Sequence, residues 1–184
     1  MQPPDEHGWV LAAQTGDRAA YAVLVSRYWE RIRRWVYTLI RDSHAAEDVT
    51  QAVFLKAWQR LGELQSPLHF RAWLFRIARN AALDSRLSAS RSPFRPIAGE
   101  PVSPRSGPNV LAGERELKTR IDEACQRMPA KYRDAFLLWV EESMPYAEIA
   151  IALQTTAITA RWRVCKAREY LRRALKPYME FEQL

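Results

Sequence analysis

The sequence predicts an all-α fold: two small helical domains joined by a flexible Pro-rich linker, the second built around a helix-turn-helix. Three observations predict it. Apolar residues recur at helical spacing through most of the 184 positions, and no run alternates apolar with polar as a half-buried strand would. Glycine is scarce while Ala, Leu and Arg are common, a balance that favours helix. The stretch 91–110, "RSPFRPIAGEPVSPRSGPNV", gathers five of the eleven prolines and two glycines and loses the helical period.

In chain order, the periodicity predicts a short helix near 6–14, a long one near 17–41, and another over 44–62 capped by Ser43. Ser66 and Pro67 form a cap and first-turn pair that opens a helix running to residue 90. These elements make a first domain, 1–91. The linker, 92–110, extends to roughly 60 Å at about 3.1 Å per residue, more than one DNA turn of roughly 34 Å. Two separate DNA contacts by one chain are then geometrically possible. Helices near 111–127, 130–142, 145–152 and 156–175 follow in a second domain, 111–184, with Pro129 and Pro145 marking two of the starts. The tail "KPYMEFEQL" is expected to pack or fray at the end of the last helix.

A net charge of +7 and 48% apolar content describe a chain that buries modest cores and favours a polyanionic partner, nucleic acid or an anionic membrane surface. The first domain carries 13 basic and 9 acidic groups and the second 13 and 11, so the basicity is local, concentrated in the last long helix. No stretch approaches the roughly 20 apolar residues of a spanning helix, and the start, "MQPPDEHGWV", has no secretory pattern. A cytoplasmic protein is expected. Cys125 and Cys165 stand 40 positions apart, and three scattered histidines give no metal-ligand spacing. Reduced thiols, no metal, no cofactor and no small-molecule substrate are expected.

In "MPYAEIAIALQTTAITARWRVCKAREYLRRAL", a short helix with Ile149, Ala150 and Leu153 breaks at Gln154 and Thr155, and a longer helix capped by Thr156 follows. That is helix-turn-helix spacing. At about 100° per residue, Ala157, Ala160, Val164, Ala167, Leu171 and Leu175 share one face, and Ile158, Arg161, Trp162, Cys165, Lys166 and Glu169 the opposite one. A helix fits the major groove, where cationic side chains pair with guanine edges or phosphates and apolar ones touch thymine methyls. A solvated basic face with Trp162 against a neighbouring helix is the alternative.

The segment "SHAAEDVTQAVFLKAWQRL" collects Val53, Phe54, Ala57, Trp58 and Leu61 on a buried side, and Asp48, Gln51, Leu55 and Gln59 on another. An apolar residue framed by polar ones suits a protein partner; an ordinary surface helix with one exposed Leu is the alternative. In "FRAWLFRIARNAALDSR", Trp73, Leu74, Ile77 and Ala81 turn inward, and Arg76, Asn80 and Asp84 line up at four-residue steps as a functional stripe or a solvated hydrogen-bonded row.

"AEDVTQAVFLKAW", then "FRAWLFRIARNAALD", a Pro-rich linker, "MPAKYRDAFLLWVEESMPYAEIAIAL" and the helix-turn-helix together resemble a bacterial RNA polymerase sigma factor of the extracytoplasmic-function group, sigma-70 family, over about residues 15–91 and 111–176. The resemblance implies a two-domain initiation factor that binds core RNA polymerase and directs it to promoter DNA. It assigns polymerase binding to Asp48, Gln51, Leu55 and Trp58. It puts the loop 59–70, with Arg76, Asn80 and Asp84, around the melted minus-ten element, and it gives the duplex minus-thirty-five element to Thr156, Arg161, Trp162, Cys165 and Lys166. It also implies a cognate anti-sigma factor, often membrane-anchored, that covers these surfaces. Two positions depart from the family: Gln154 stands where Gly is usual, in a turn that favours positive φ, and Trp162 stands where a small or polar residue is usual. Trp162 is left two roles, a thymine methyl or an inhibitor.

Three rivals compete: a one-component helix-turn-helix repressor, a helical nuclease using His44, Glu47 and Asp48, and a membrane-surface protein. The repressor would bind promoters without polymerase. The nuclease lacks convergent ligands, and the membrane protein leaves the tight turn before the basic helix unexplained.

Overall fold

The computed structural model describes residues 6–91 and 112–179, and among them the regular secondary structure is entirely helical. The chain divides into two compact units, Met1–Val102 and Ser103–Leu184. The predicted linker, 92–110, lies outside the described residues, as does the tail from 180 onward.

In the first unit, α1 (Glu6–Gln14) meets α2 (Arg18–Ile40) through a tight turn. The Asp17 amide donates to the Ala12 carbonyl and the Gly16 amide to that of Ala13, with Gly16 at φ +96°. This is a Schellman turn, which ties up carbonyls that the end of α1 would otherwise leave bare. Asp17 then caps α2 by accepting from the Ala19 and Ala20 amides at 2.8 and 3.1 Å.

Helix α3 covers Ser43–Arg60, and its cap is Asp42, whose carboxylate accepts from the Ala45 amide at 2.9 Å. Ser43 is therefore the first helical residue and not the cap: both are good cap types, and the extended backbone falls at Asp42. The helix also stops two residues short of the predicted end, giving way to a 3-10 turn at Leu61–Glu63. Ser66 and Pro67 do not open the next α-helix directly. Pro67–His69 is a separate 3-10 turn, Ser66 makes no side-chain cap bond, and α4 runs Phe70–Arg91. Helices α2, α3 and α4 pack on one another around Leu24, Tyr28, Ile32, Phe70, Leu74 and Phe75, with α1 against α2.

The second unit comprises α5 (Ala112–Arg127), α6 (Ala130–Val140), α7 (Tyr146–Leu153) and α8 (Ala157–Met179). Pro129 and Pro145 occupy the cap positions of α6 and α7. Helix α8 packs against α5, α6 and α7, so the basic helix is also the spine of its unit.

Candidate protein and nucleic-acid interfaces

Helix α3 buries Val53, Phe54 and Ala57, joined by Leu61 of the 3-10 turn that follows it, and turns Asp48, Gln51, Leu55 and Gln59 to solvent, as its period requires. Leu55 is 61% exposed on this polar face. Trp58 belongs fully to neither side: it is half-buried, with its ring 4.8 Å from that of Tyr21 on α2. Tyr21 donates its hydroxyl to the Phe54 carbonyl at 2.5 Å, and burial pushes its pKa up. Arg18, Tyr21, Phe54, Leu55 and Trp58 line an open, mostly apolar groove of about 410 Å³ between the two helices. Arg18 and Tyr21 carry no marker in the sequence, because only packing brings α2 beside the α3 seam.

On α4, Trp73, Leu74 and Ile77 are buried as expected, while Ala81 is half-covered because its step of the helix reaches the edge of the core. Arg76 and Asn80 are half-buried and Asp84 exposed along one stripe. The loop between α3 and α4 holds itself by Leu61, Leu64 and Phe70, which point inward, and offers Gln65, Leu68 and His69 to solvent, Leu68 at 73%.

In the helix-turn-helix, the Thr155 amide donates to the Ala150 carbonyl at 2.9 Å and the Gln154 amide to that of Ile151 at 3.4 Å. Gln154, at φ +52° and ψ +56°, sits in the left-handed position of a Schellman turn, where a side chain costs about 1–2 kcal/mol relative to glycine. Thr156 caps α8 by accepting from the Thr159 amide at 3.1 Å. Ala160, Val164, Ala167 and Leu171 are buried; Leu175 is half-buried and Ala157 exposed, because the two lie at the ends of the inward face.

Ile158, Arg161, Trp162, Cys165 and Lys166 are exposed on the opposite side. Glu169 bonds both Lys166, at 2.9 Å, and Arg173, at 2.6 Å. The Lys166 hydrogen bond is the first cause that holds the Glu169 carboxyl below its usual range, with the charges of Lys166 and Arg173 behind it. Trp162 is 47% exposed, and its other side meets Tyr132 of α6 edge-on, the rings 5.6 Å apart at 73°. The Lys131 ammonium lies 4.9 Å from the centre of the Tyr132 ring. Trp162 thus uses one side for a neighbouring helix and shows the other to solvent, and α6 contributes an aromatic and a cation to the outward face of α8.

His44, Glu47 and Asp48, the carboxylate and imidazole set of the nuclease alternative, gather no further ligand: among the described residues no group of three or more His, Cys, Asp or Glu could hold a metal ion. No described helix is long and apolar enough to cross a membrane.

Two family models match, Sigma-70 region 2 over residues 24–92 and a Sigma-70 region 4 model over 118–175. The chain is 30% identical over 180 residues to RNA polymerase sigma-H factor of Pseudomonas aeruginosa, an alignment that takes in 92% of this chain and 93% of the relative. It is 27% identical to ECF RNA polymerase sigma factor SigW of Bacillus subtilis over 91% of this chain and 95% of that one. Among solved structures, the sigma factor RpoE of Bartonella quintana, crystallised with the anti-sigma factor NepR, superposes with a TM-score of 0.67 at 23% identity, over 85% of this chain and 96% of that one. At that identity the likeness is one of fold. The chain belongs to the sigma-70 family of RNA polymerase sigma factors, in its extracytoplasmic-function group.

Proposed function

We propose that the chain is the promoter-recognition subunit of a cytoplasmic RNA polymerase, supplying binding surfaces and no catalysis of its own. The observation that carries this is the presence in one chain of an open apolar groove beside a polar α3 face and of a helix-turn-helix with an outward basic face, in the order of the two family regions. Residues 1–91 would grip polymerase through Asp48, Gln51, Leu55 and Trp58 and hold the melted minus-ten element with the 59–70 loop, Arg76, Asn80 and Asp84. Half-buried Arg76 and Asn80 suit this role, since partial burial holds a donor in place for an extruded base. Residues 111–184 would take the duplex minus-thirty-five element through Thr156, Arg161, Trp162, Cys165 and Lys166.

A cognate anti-sigma factor is part of the proposal. Exposed Leu55 and the groove beside it form an apolar surface that a regulator can cover when polymerase is absent. A pull-down under non-inducing conditions is expected to return such a protein; recovery of polymerase alone counts against it.

In vitro transcription with purified core polymerase tests the central reading. Adding the protein should give promoter-dependent initiation on fragments of the native genome, and Asp48→Ala should weaken polymerase binding while duplex DNA binding persists. No initiation on any fragment sinks the proposal. Promoter binding that needs no polymerase would favour the repressor instead.

A further inference from the structure

The loop between α3 and α4 holds only two isolated 3-10 turns, and little of its own backbone bonding defines its shape. Its inner carbonyls find a partner from far along the chain. Gln14, the last residue of α1, donates from Nε2 to the Leu61 carbonyl at 3.1 Å and to the Leu64 carbonyl at 2.8 Å, across 47 and 50 positions. A primary amide nitrogen carries two hydrogens, and both go to this one loop. Because carbonyl oxygens only accept, the amide must present its nitrogen here, so its orientation is determined by chemistry.

The end of α1 is itself held. Val10 and Ala13 are buried, and the Gly16 turn joins the helix rigidly to α2. At the other end, Tyr28 of α2 donates to the Glu6 carboxylate at 2.8 Å and Arg27 pairs with it at 3.2 Å. A continuous set of bonds and packed side chains therefore runs from the α2 core through α1 to the inner side of the loop, while Gln65, Leu68 and His69 stand on its open side.

We infer that Gln14 is a positioning residue for minus-ten recognition: by pinning the Leu61 and Leu64 carbonyls it holds the loop in the one shape that presents its exposed side chains, beside the Arg76 and Asn80 stripe, to an unpaired base. This rests on the reading of the loop as a minus-ten element. Base discrimination depends on donors and walls held to a fraction of an ångström, so a loose loop loses selectivity before it loses binding.

The test uses the full-length protein with core polymerase, on a genomic promoter at which the unaltered protein initiates and on copies of it with single minus-ten substitutions. Gln14→Met keeps the length and removes the donors; Gln14→Glu keeps the shape and faces two carbonyls with an acceptor. Both should keep core-polymerase affinity within about twofold. Preference for the native minus-ten base should fall about five- to tenfold in Gln14→Met, the lower end of what two neutral hydrogen bonds can carry, and further in Gln14→Glu. Leu68→Ala and Asn80→Ala serve as controls. If they alter minus-ten preference and the Gln14 variants do not, the inference fails and the role of the loop stands. If none of the four alters it, the loop reading fails and takes this inference with it. A Gln14→Met protein that melts early and loses polymerase binding in proportion marks Gln14 as a packing residue only, which also overturns the inference.

Discussion

The two units differ in where their aromatic rings sit. The first buries whole aromatic rings: Tyr28, Phe70 and Phe75 are fully enclosed, with Trp35, Phe54 and Trp73 nearly so, and ring pairs such as Tyr28 with Phe70 at 5.7 Å and Trp35 with Phe75 at 6.0 Å run through it. The second encloses no whole ring among its described residues: Leu138, Met144, Ile149 and Val164 are its larger enclosed side chains, and alanines such as Ala160 and Ala167 are enclosed there as Ala57, Ala72 and Ala78 are in the first. Its described aromatics, Tyr132, Phe136, Trp139, Tyr146, Trp162 and Tyr170, all keep some exposure. Tyr132, Phe136 and Tyr170 pack half-buried against the cluster of Ala124, Cys125, Met128, Ala167 and Leu171, and two half-buried rings meet cations, Tyr132 with Lys131 and Trp139 with Arg168. Enclosed rings therefore back a groove in one unit, and rings at the edge of the core keep a side for solvent in the other.

Truncation should harm the first unit most. Phe75→Ala, at a fully enclosed ring, is expected to cost about 3–5 kcal/mol, seen as an early unfolding transition in denaturant while the second unit keeps its own. A single shared transition would mean that the units do not fold independently. Enlargement should harm the second. Ala160→Leu adds three carbons at a position with no exposure and is expected to cost about 1–3 kcal/mol, read as a lower midpoint with loss of duplex affinity. If it is neutral, the core of the second unit has slack beside α8.

The smallest effect concerns the turn. Gln154→Gly removes the left-handed side-chain cost but loosens the unfolded chain, leaving a net gain of up to about 1 kcal/mol in the stability of the second unit. A loss instead would show that the Gln154 side chain makes a contact worth more than the backbone cost.

Much of this architecture was legible as periodicity. The helix-turn-helix register, the Thr156 cap, the inward Ala160, Val164 and Ala167, and the exposed Asp48, Gln51 and Leu55 all follow from which side chains share a face at 3.6 residues per turn. The misses are local. Asp42 displaced Ser43 because two adjacent residues are both good cap types and the extended backbone falls at Asp42, and α4 starts at Phe70 because Pro67–His69 closes a 3-10 turn of its own before the α-helix begins. A helical wheel turned Trp162 outward and left open a neighbouring helix beside it, but it could not show that Tyr132 is the residue it meets.

By itself, the order of amino acids determined which segments coil, which stripe of each turns inward, where the turns fall, and the family that this order spells. Only the tertiary structure decided that Tyr21 completes a groove with Trp58, that Tyr132 takes one side of Trp162, and that Gln14 reaches the carbonyls of Leu61 and Leu64. The physical reason is range. Periodicity and capping act within about one helical turn, whereas these three contacts join residues that are distant in sequence and meet only when helices dock.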